Sequence, residues 1–370
     1  MMKLDDREWK AFTVEELFTR IVSTKGKTTG QLIPGGDIPY IAAAKNNNGC
    51  AGVYSSKGYP EWISEGNCIV FVQLGDGAAG IAHYIPVDFI GMSGKTSCGY
   101  IDGLLNRYNG VFIAKALSAN KAIFSHGHSW TGRRLLKSRC MLPATPEGKP
   151  DYEFMTAYMR DLHSMKREQY RRYVEKRIVE MGVIPGNQKV DWKTLLVSRK
   201  WEPFRIDSIF NILPGKRLVA ANSTPGDRPF IGALDNSNGV ARFVSDENES
   251  LDKNVLGVNY NGNGMAIGFY HPYECIFSDD VKRFHLKNRE DDPYVLLFMK
   301  SVILMQKNKF GYLYKFNADR MAHTNIMLPV TEDGQPDYVF MEDFGRKVML
   351  EKYRQYLRYL ENNKHYKLGS

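Results

Sequence analysis

The sequence contains the same long unit twice, and this repetition limits the possible folds more than any other feature. Residues 141–155 read MLPATPEGKPDYEFM and residues 327–341 read MLPVTEDGQPDYVFM, identical at ten of fifteen positions without a gap. The openings of the two halves also match, with WKAFTVEELF at 9–18 and WEPFRIDSIF at 201–210. The separation drifts from 192 to 186 residues along the chain. A period this long indicates a duplicated domain rather than a solenoid repeat.

Each half has the same order of predicted elements. A short amphipathic segment comes first, which Thr13 or Asp207 could cap as a helix. Brief runs rich in β-branched and aromatic residues follow, such as CIVFV, IAHYI and AIGFY, separated by Gly, Asn and Asp. A helical stretch, predicted over 294–310 in the second half, precedes a loop. The fold class is therefore α+β, with two tandem mixed globules.

A long helix closes each half. Asp151 and Asp337 each follow a proline and can cap the helix that comes next. The first helix is predicted from Tyr152 to about Met181 and the second from Tyr338 to about Glu361. At about 1.5 Å per residue, the first would be roughly 45 Å long, too long to be buried in one small domain. The two long helices could therefore pack together as a rigid spacer.

Charge and cysteine content narrow the class of protein. Lys and Arg exceed Asp and Glu by 50 to 41, which gives a net charge of +9 and suggests an acidic partner, with nucleic acid the first candidate. The alternative is a mildly basic protein without such a partner. No apolar run reaches the roughly 18 residues of a membrane span, and the start does not resemble a signal peptide. Five scattered cysteines without CxxC spacing suggest free thiols in the cytoplasm.

Catalytic and metal-binding patterns are missing or ambiguous. The GxG triplets at 75–77 and 262–264 precede strand-like runs, which favours glycine hairpins over phosphate loops. The run DDPY at 291–294 resembles a methyltransferase motif but has one proline, and a helix start explains it. His126 and His128 have metal-ligand spacing without a third ligand nearby. The sequence predicts no catalytic residue and no metal site.

Signals for nucleic-acid binding lie at the same place in both halves. Segments 121–137 and 307–323 mix cations with aromatic residues, and further cations follow the opening segments. Cations can neutralise phosphates, while Arg and Asn can read base edges. The alternative is that the aromatic residues are core and the lysines a solvated rim. The Asn clusters 46–48 and 236–238 are either turns or base readers, and the Gly after each favours turns. The candidate DNA-binding residues are Lys27, Lys121, His126, His128, Arg133, Arg134, Lys216, Arg217, Lys307, Lys309, Tyr312, Tyr314, Lys315, Asn317 and Arg320.

The ordered motifs resemble the specificity (S) subunits of type I restriction–modification systems. Both halves open with W..F....F, carry a PFI or PYI segment and an NG turn, and close with LP...G.PD before a long helix. The segments RPFIGALDNSNGV, GFYHPY, YKFNADRM and LPVTEDGQPDYVFM are more similar still to the type IIB, BcgI-like specificity subunits. The resemblance covers about residues 9–361. The first half departs from it where HGHSWTGRRL stands in place of YLYKFNADRM.

The resemblance implies a non-catalytic subunit that reads a split duplex DNA site. One target-recognition domain would read each part, and the long helices would pair antiparallel to set the spacing. A partner subunit, a methyltransferase or a fused methyltransferase–nuclease, would carry S-adenosylmethionine and Mg, with no cofactor on this chain. The implied division is 1–150 for the first domain, 151–185 for its helix, 186–336 for the linker and second domain, 337–363 for the second helix, and 364–370 for a tail.

Two other functions fit the same residues. A self-contained DNA-modifying enzyme would bind S-adenosylmethionine or methylate DNA alone. A non-enzymatic RNA-binding or scaffold protein would prefer RNA, or would use the long helices for protein contacts only.

Overall fold

The computed structural model describes residues 2–75, 77–125, 127–182, 191–261, 264–311 and 313–362. The chain forms two compact units, residues 1–171 and residues 172–370. The boundary between the units falls inside the first long helix. No helix of the described residues is both long and apolar enough to span a membrane.

The first unit is built from short strands and a few helices. Its strands are β1 (Trp9–Thr13), β2 (Arg20–Ser23), β3 (Pro34–Ile41), β4 (Cys50–Tyr54), β5 (Ile63–Ser64), β6 (Cys68–Val72), β7 (Ala82–Ile85), β8 (Phe89–Gly91), β9 (Thr96–Tyr100) and β10 (Arg139–Pro143). Its helices are α1 (Val14–Leu17), α2 (Arg107–Leu117), α3 (Gly132–Leu136) and the long α4 (Tyr152–Glu180), which crosses the boundary. The strands are paired antiparallel except for β3 with β8.

The second unit repeats this plan after a short helix. Its helices are α5 (Trp192–Val197), α6 (Ile206–Ile209), α7 (Pro293–Leu304), α8 (Ala318–His323) and the long α9 (Tyr338–Asn362). Its strands are β11 (Trp201–Arg205), β12 (Phe210–Pro214), β13 (Pro225–Ile231), β14 (Val240–Val244), β15 (Val255–Asn259), β16 (Gly268–His271), β17 (Ile276–Phe277), β18 (Val281–Leu286) and β19 (Asn325–Pro329).

The sheets have the same topology in both units. A four-stranded sheet has the order β2-β9-β6-β7 in the first unit and β12-β18-β15-β16 in the second. A second sheet has the order β4-β3-β8-β5 in the first unit and the three-stranded order β14-β13-β17 in the second, so β5 is an addition of the first unit. The glycine triplets lie between β6 and β7 and between β15 and β16, which pair antiparallel. The flanking strands therefore form the predicted hairpins, while Asp76, Gly262 and Asn263 of the triplets lie outside the described residues.

Within each unit, the opening segment pairs as a strand with the segment just before the long helix, and these are the two segments that match best between the halves. β1 pairs antiparallel with β10, so that Trp9 lies opposite Pro143, and β11 pairs with β19, so that Trp201 lies opposite Pro329. This ladder joins the opening of each half to the residues just before its long helix. The ladder therefore fixes where the long helix leaves each unit.

Apolar residues of the four-stranded sheet and the following helix form the main core of each unit. In the first unit Ile69 and Phe71 of β6 pack with Ile113 and Leu117 of α2. In the second unit β15 and β18 supply residues such as Leu256 and Phe284, which cluster with residues of α7. The continuous burial of β6 and β15 explains why their sequences do not alternate between apolar and polar residues, although β15 ends in the buried Asn259.

The long helices begin where the sequence predicts. The Phe154 N–H donates to Asp151 Oδ1 at 2.8 Å, and the Phe340 N–H donates to Asp337 Oδ1 at 2.9 Å. Each capping carboxylate also pairs with an arginine, Arg7 in one unit and Arg199 in the other. The antiparallel pairing of the two long helices stays a prediction. Within the second unit, the end of α4 does join α9, since Val174 and Met181 cluster with Leu350 and Tyr353.

Two details differ from the sequence prediction, and a third was not predicted. Asp207 does not cap α6: Arg205 holds that position, and Asp207 lies in the first turn, where it pairs with Arg205 at 2.5 Å. The helix predicted over 294–310 ends at Leu304, and a 3-10 turn, Lys307–Lys309, follows. The predicted linker contains α5, capped by Asp191, while residues 183–190 and 363–370 lie outside the described part.

Candidate nucleic-acid interface

The candidate segments form the same tight turn in both units. The backbones of Ser125 and His128 exchange hydrogen bonds of 3.2 and 3.0 Å, and those of Gly311 and Tyr314 exchange bonds of 3.1 and 3.0 Å. The turns align at the constant separation of 186 residues, which places Gly127 of the first unit opposite Leu313 of the second. His126 and Tyr312 lie outside the described residues. The structure therefore supplies one equivalent turn per unit, with different residues at its tip.

A column of rings supports each turn. In the second unit the buried Phe316 contacts Phe310 at 4.4 Å between ring centroids, and Phe310 stacks on Tyr314 at 5.8 Å. In the first unit Trp130 takes the place of Phe316, Phe124 that of Phe310, and His128 that of Tyr314, with separations of 5.5 and 5.7 Å. The inner rings are core, as the alternative interpretation held. The outer rings of His128 and Tyr314 are exposed.

The column of the first unit is also tied to the neighbouring glycine hairpin. The Trp130 N–H donates to the Gln73 carbonyl at 3.1 Å, and its indole Nε1 donates to Ser138 Oγ at 2.7 Å. A Cβ atom at Gly80 would lie 2.8 Å from the Lys121 Cα, and Gly80 has a φ of +86°. A side chain there would both clash and be strained. The hairpin at 73–80 therefore holds the column from one side, a contact that the sequence did not predict.

The arginines after the two turns are held differently. In the second unit the Arg320 guanidinium lies 3.9 Å from the centre of the Tyr314 ring and donates to the Lys315 carbonyl at 2.8 Å. Asn317 Oδ1 accepts from the Arg320 N–H at 3.0 Å and caps α8, so its oxygen has a structural role. In the first unit Arg133 and Arg134 are exposed, with no side-chain partner among the described residues. Arg134 occupies the position equivalent to Arg320.

The candidate lysines divide into free and paired groups. Lys121 and Lys307 are exposed at equivalent positions in 3-10 turns, and Lys309 donates to Gln306 Oε1 at 2.6 Å. Lys315 is half-buried. Lys27 belongs to a different surface, where its Nζ lies 5.2 Å from the Trp62 ring.

Lys216 and Arg217 are neutralised by acidic neighbours. Lys216 pairs with Glu249 at 3.0 Å and Arg217 with Asp279 at 3.6 Å. Asp246 and Glu247 lie close to Glu249 in sequence, so this edge of the second unit carries several carboxylates. Carboxylates repel phosphate, so these acidic neighbours oppose phosphate binding at Lys216 and Arg217. Their role as phosphate contacts stays a prediction.

The remaining sequence motifs have structural roles. Asn48 and Asn238 have φ near +50°, and the Nδ2 atoms donate to the Tyr84 carbonyl and the Tyr273 hydroxyl, which confirms the turn interpretation. Asp292 caps α7 by accepting from two backbone N–H groups, which confirms the helix-start interpretation. Across the described residues no group of three His, Cys, Asp or Glu side chains could hold a metal. The cysteines are free thiols.

A charged cluster in the second unit was not recognised in the sequence. His285 lies between Asp291 at 2.6 Å and Asp252 at 2.9 Å, and the Arg283 guanidinium contacts the same Asp252 oxygen at 2.9 Å. Hydrogen bonds to Asp252 and Asp291 raise the pKa of His285 to about 9, although burial opposes this. Burial raises the pKa of Asp252, but the hydrogen bonds and charge of His285, together with the bonds from the Lys253 N–H and Arg283, leave that pKa lowered. These residues come from three separate stretches of chain, so no local motif announces the cluster.

Comparison with known proteins defines the class to which this chain belongs. The family model described as the type I restriction modification DNA specificity domain matches residues 6–170 and again residues 198–357. Together these matches cover most of the chain, so the chain belongs to that family. The two matched regions follow the duplication, which confirms the resemblance inferred from the motifs and the tandem α+β fold.

One characterised relative is similar over a large part of its length. The BcgI specificity subunit of the type II restriction enzyme of Heyndrickxia coagulans is 41% identical over 240 residues. The match covers 65% of this chain and 66% of that protein, slightly less than two thirds of its length.

Two solved structures are similar along nearly the whole chain. The S subunit of a type I restriction–modification system from M. genitalium is 15% identical, covering 98% of this chain and 94% of that one, with a TM-score of 0.46. The HsdS subunit from Thermoanaerobacter tengcongensis is 11% identical, covering 98% and 92%, with a TM-score of 0.30. The family model matches both halves of the chain as a DNA specificity domain.

Proposed function

We propose that this chain reads the two halves of a split duplex DNA site, one with each unit, and directs a partner enzyme to that site. The observation that carries the proposal is the pair of equivalent ring columns. Both units hold the same turn on the same support, yet the exposed residues differ: His128 and Gly127 in one, Tyr314 and Leu313 in the other. A shared support with different tips is what two readers of different base sequences require.

Binding would begin with contacts to the phosphates and end with contacts to the bases. Lys121 and Lys307 precede the turns at equivalent positions and suit phosphate contacts, which position a protein without reading sequence. Arg134 and Arg320 follow the turns, and a guanidinium can read guanine bidentately in the major groove. The stacking of Arg320 on Tyr314 would hold its guanidinium in one orientation. His126, His128, Arg133, Tyr312, Tyr314, Lys315 and Asn317 complete the proposed interface around these residues.

The chemistry would belong to the partner. We assign S-adenosylmethionine and Mg to a methyltransferase subunit, alone or fused to a nuclease, working with this chain in the cytoplasm. The BcgI relative is named as the specificity subunit of a restriction enzyme, which supports a division of labour of this kind. The basic long helix α4 would offer one docking surface for such a subunit, with the cations Lys166, Arg167, Arg171, Arg172, Lys176 and Arg177. Of these, Arg171 pairs with Glu168, and Lys176 and Arg177 pair with Glu180 on the same helix.

A methylation map of the native host, with and without this gene, tests the proposal. We expect deletion to remove one split methylation motif. Segments 124–134 and 310–320 have equal length and align without a gap, so they can be exchanged in place. Moving 124–134 into the second unit should change the bases methylated in one half of the motif and leave the other half and the spacing unchanged.

The control exchange uses segments 141–155 and 327–341, which differ at only five positions and lie away from the turns. That exchange should leave the motif unchanged. A map that deletion does not alter, in a host where the system is expressed, would refute the proposal. If the purified chain alone methylated DNA, the assignment of the chemistry to a partner would be wrong.

A further inference from the structure

Leu313 is the most exposed large apolar side chain among the described residues, with 95% of its surface accessible. It stands at the tip of the turn closed by the backbone bonds between Gly311 and Tyr314. A single exposed leucine on a flexible loop would need no explanation. This one differs because a stack of rings fixes the residues on its C-terminal side.

The support beneath Leu313 is a packed stack of rings. Tyr314 is parallel to Phe310, with an angle of 3° between the rings, and Phe310 packs on the fully buried Phe316. Arg320 covers the other side of Tyr314 and is itself bonded to the Lys315 carbonyl. The packing of Tyr314 limits the freedom of the chain next to Leu313, which lowers the conformational entropy that binding would cost.

The residues around the tip select the kind of partner. Lys307, Lys309, Lys315 and Arg320 all lie within eight residues of Leu313, and no acidic residue occurs between Lys307 and Ala318. Several cations close in sequence to one exposed apolar side chain complement a polyanion that has an apolar interior. Duplex DNA has both, because the phosphates surround stacked bases, and proteins that bend DNA insert leucine between base pairs.

We propose that Leu313 inserts between two base pairs of the half-site read by the second unit and unstacks them, an inference that rests on the proposed function. The first unit has Gly127 at the equivalent position, where no side chain can insert. The two halves of the site are therefore treated differently. The half read by the second unit is kinked, which favours flexible pyrimidine–purine steps there, and the other half is read without a wedge.

The test is fluorescence of 2-aminopurine, which brightens when it loses its stacked neighbours. The full chain, complexed with its methyltransferase partner and without S-adenosylmethionine, is bound to duplexes in which the probe is scanned through the half-site assigned to the second unit. With the native chain we expect one step beside the readout to brighten severalfold. Leu313→Ala should remove that signal and weaken binding by about tenfold, the order expected for losing one inserted side chain.

Two further variants separate insertion from other effects. Leu313→Met keeps an apolar side chain and should retain most of the signal. Met305→Ala removes another exposed apolar side chain of the same unit, 77% accessible, and should change neither fluorescence nor affinity. Replacing thymines of the half-site by uracil tests whether Leu313 only touches a methyl group.

The outcomes are distinct. If the native complex binds the split site but shows no increase in fluorescence that depends on Leu313, the inserted leucine is ruled out. The proposed function is not affected by that result. The wedge would also be overturned if replacing thymine by uracil weakened binding of the native complex as much as Leu313→Ala does, because a contact with the thymine methyl group would then explain the loss. Complex that does not distinguish the split site from other DNA would refute the proposed function itself.

Discussion

At the scale of single residues, the two equivalent arginines should be the sharpest probes of reading. We expect Arg320→Ala to lower the affinity for the split site by about 1–3 kcal/mol and to relax the base preference in one half-site only. Arg320→Lys keeps the charge but loses the planar group that stacks on Tyr314. If Arg320 reads a base, the lysine variant should bind as weakly as the alanine variant. If Arg320 contacts a phosphate, the lysine variant should retain most of the affinity. Competition binding with single-base variants of each half-site measures both effects. Equal losses for every sequence would identify Arg320 as a phosphate contact.

The protonation of His285 should make the stability of the second unit depend on pH in the alkaline range. Its pKa is raised to about 9 by Asp252 and Asp291, against about 6.5 when unfolded, so the folded state holds the proton more tightly. That stabilisation is complete below about pH 6.5 and is lost as the pH rises through about 9. The stabilisation amounts to on the order of 2–3 kcal/mol. Solvent screens it only in part, because the His285 side chain is less than a third exposed.

Urea unfolding of the full chain at about pH 6 and about pH 10 measures this dependence. The variant His285→Gln should lose most of the difference between the two pH values that the native chain shows. His323→Gln, at an exposed histidine of the same unit, is the matched control and should behave as the native chain does. If His285→Gln kept the native pH dependence, the cluster would not hold a proton as described.

At the scale of elements, the helix caps connect local sequence to stability. Asp337 is buried, caps α9 and pairs with Arg199, so Asp337→Ala should destabilise the second unit by about 1–2 kcal/mol. Asp337→Asn keeps the capping oxygen and should cost less than about 1 kcal/mol. Asp343→Asn removes only a half-buried helix pair with Lys347 and should cost less than about 0.5 kcal/mol. Urea unfolding gives all three values, and equal costs for the two Asp337 variants would mean that the ion pair matters more than the cap.

The elements also show how far sequence alone reaches. Features set within a few residues were predictable: the caps at Asp151 and Asp337, the glycine hairpins, and the bounds of α4 and α9. Features set by distant partners were not. Lys216 and Arg217 look like free cations in the sequence, and only the fold brings Glu249 and Asp279 beside them. Within the candidate interface, the repeat predicted the place of both turns, but not which rings are buried or that the hairpin at 73–80 supports Trp130.

At the scale of the whole molecule, duplication predicts that the two readers act independently. Arg134 and Arg320 belong to different compact units and share no side-chain partner among the described residues. Effects of substitutions at sites without shared contacts add to within about 0.5 kcal/mol. We therefore expect Arg134→Ala to relax the half-site that Arg320→Ala leaves intact, and the double variant to lose the sum of the two binding free energies. The measurement is competition binding on four duplexes, which carry both half-sites, either one alone, or neither. A double variant no weaker than the worse single variant would show that the units bind as one coupled reader, and the duplication would then explain the scaffold but not the division of the site.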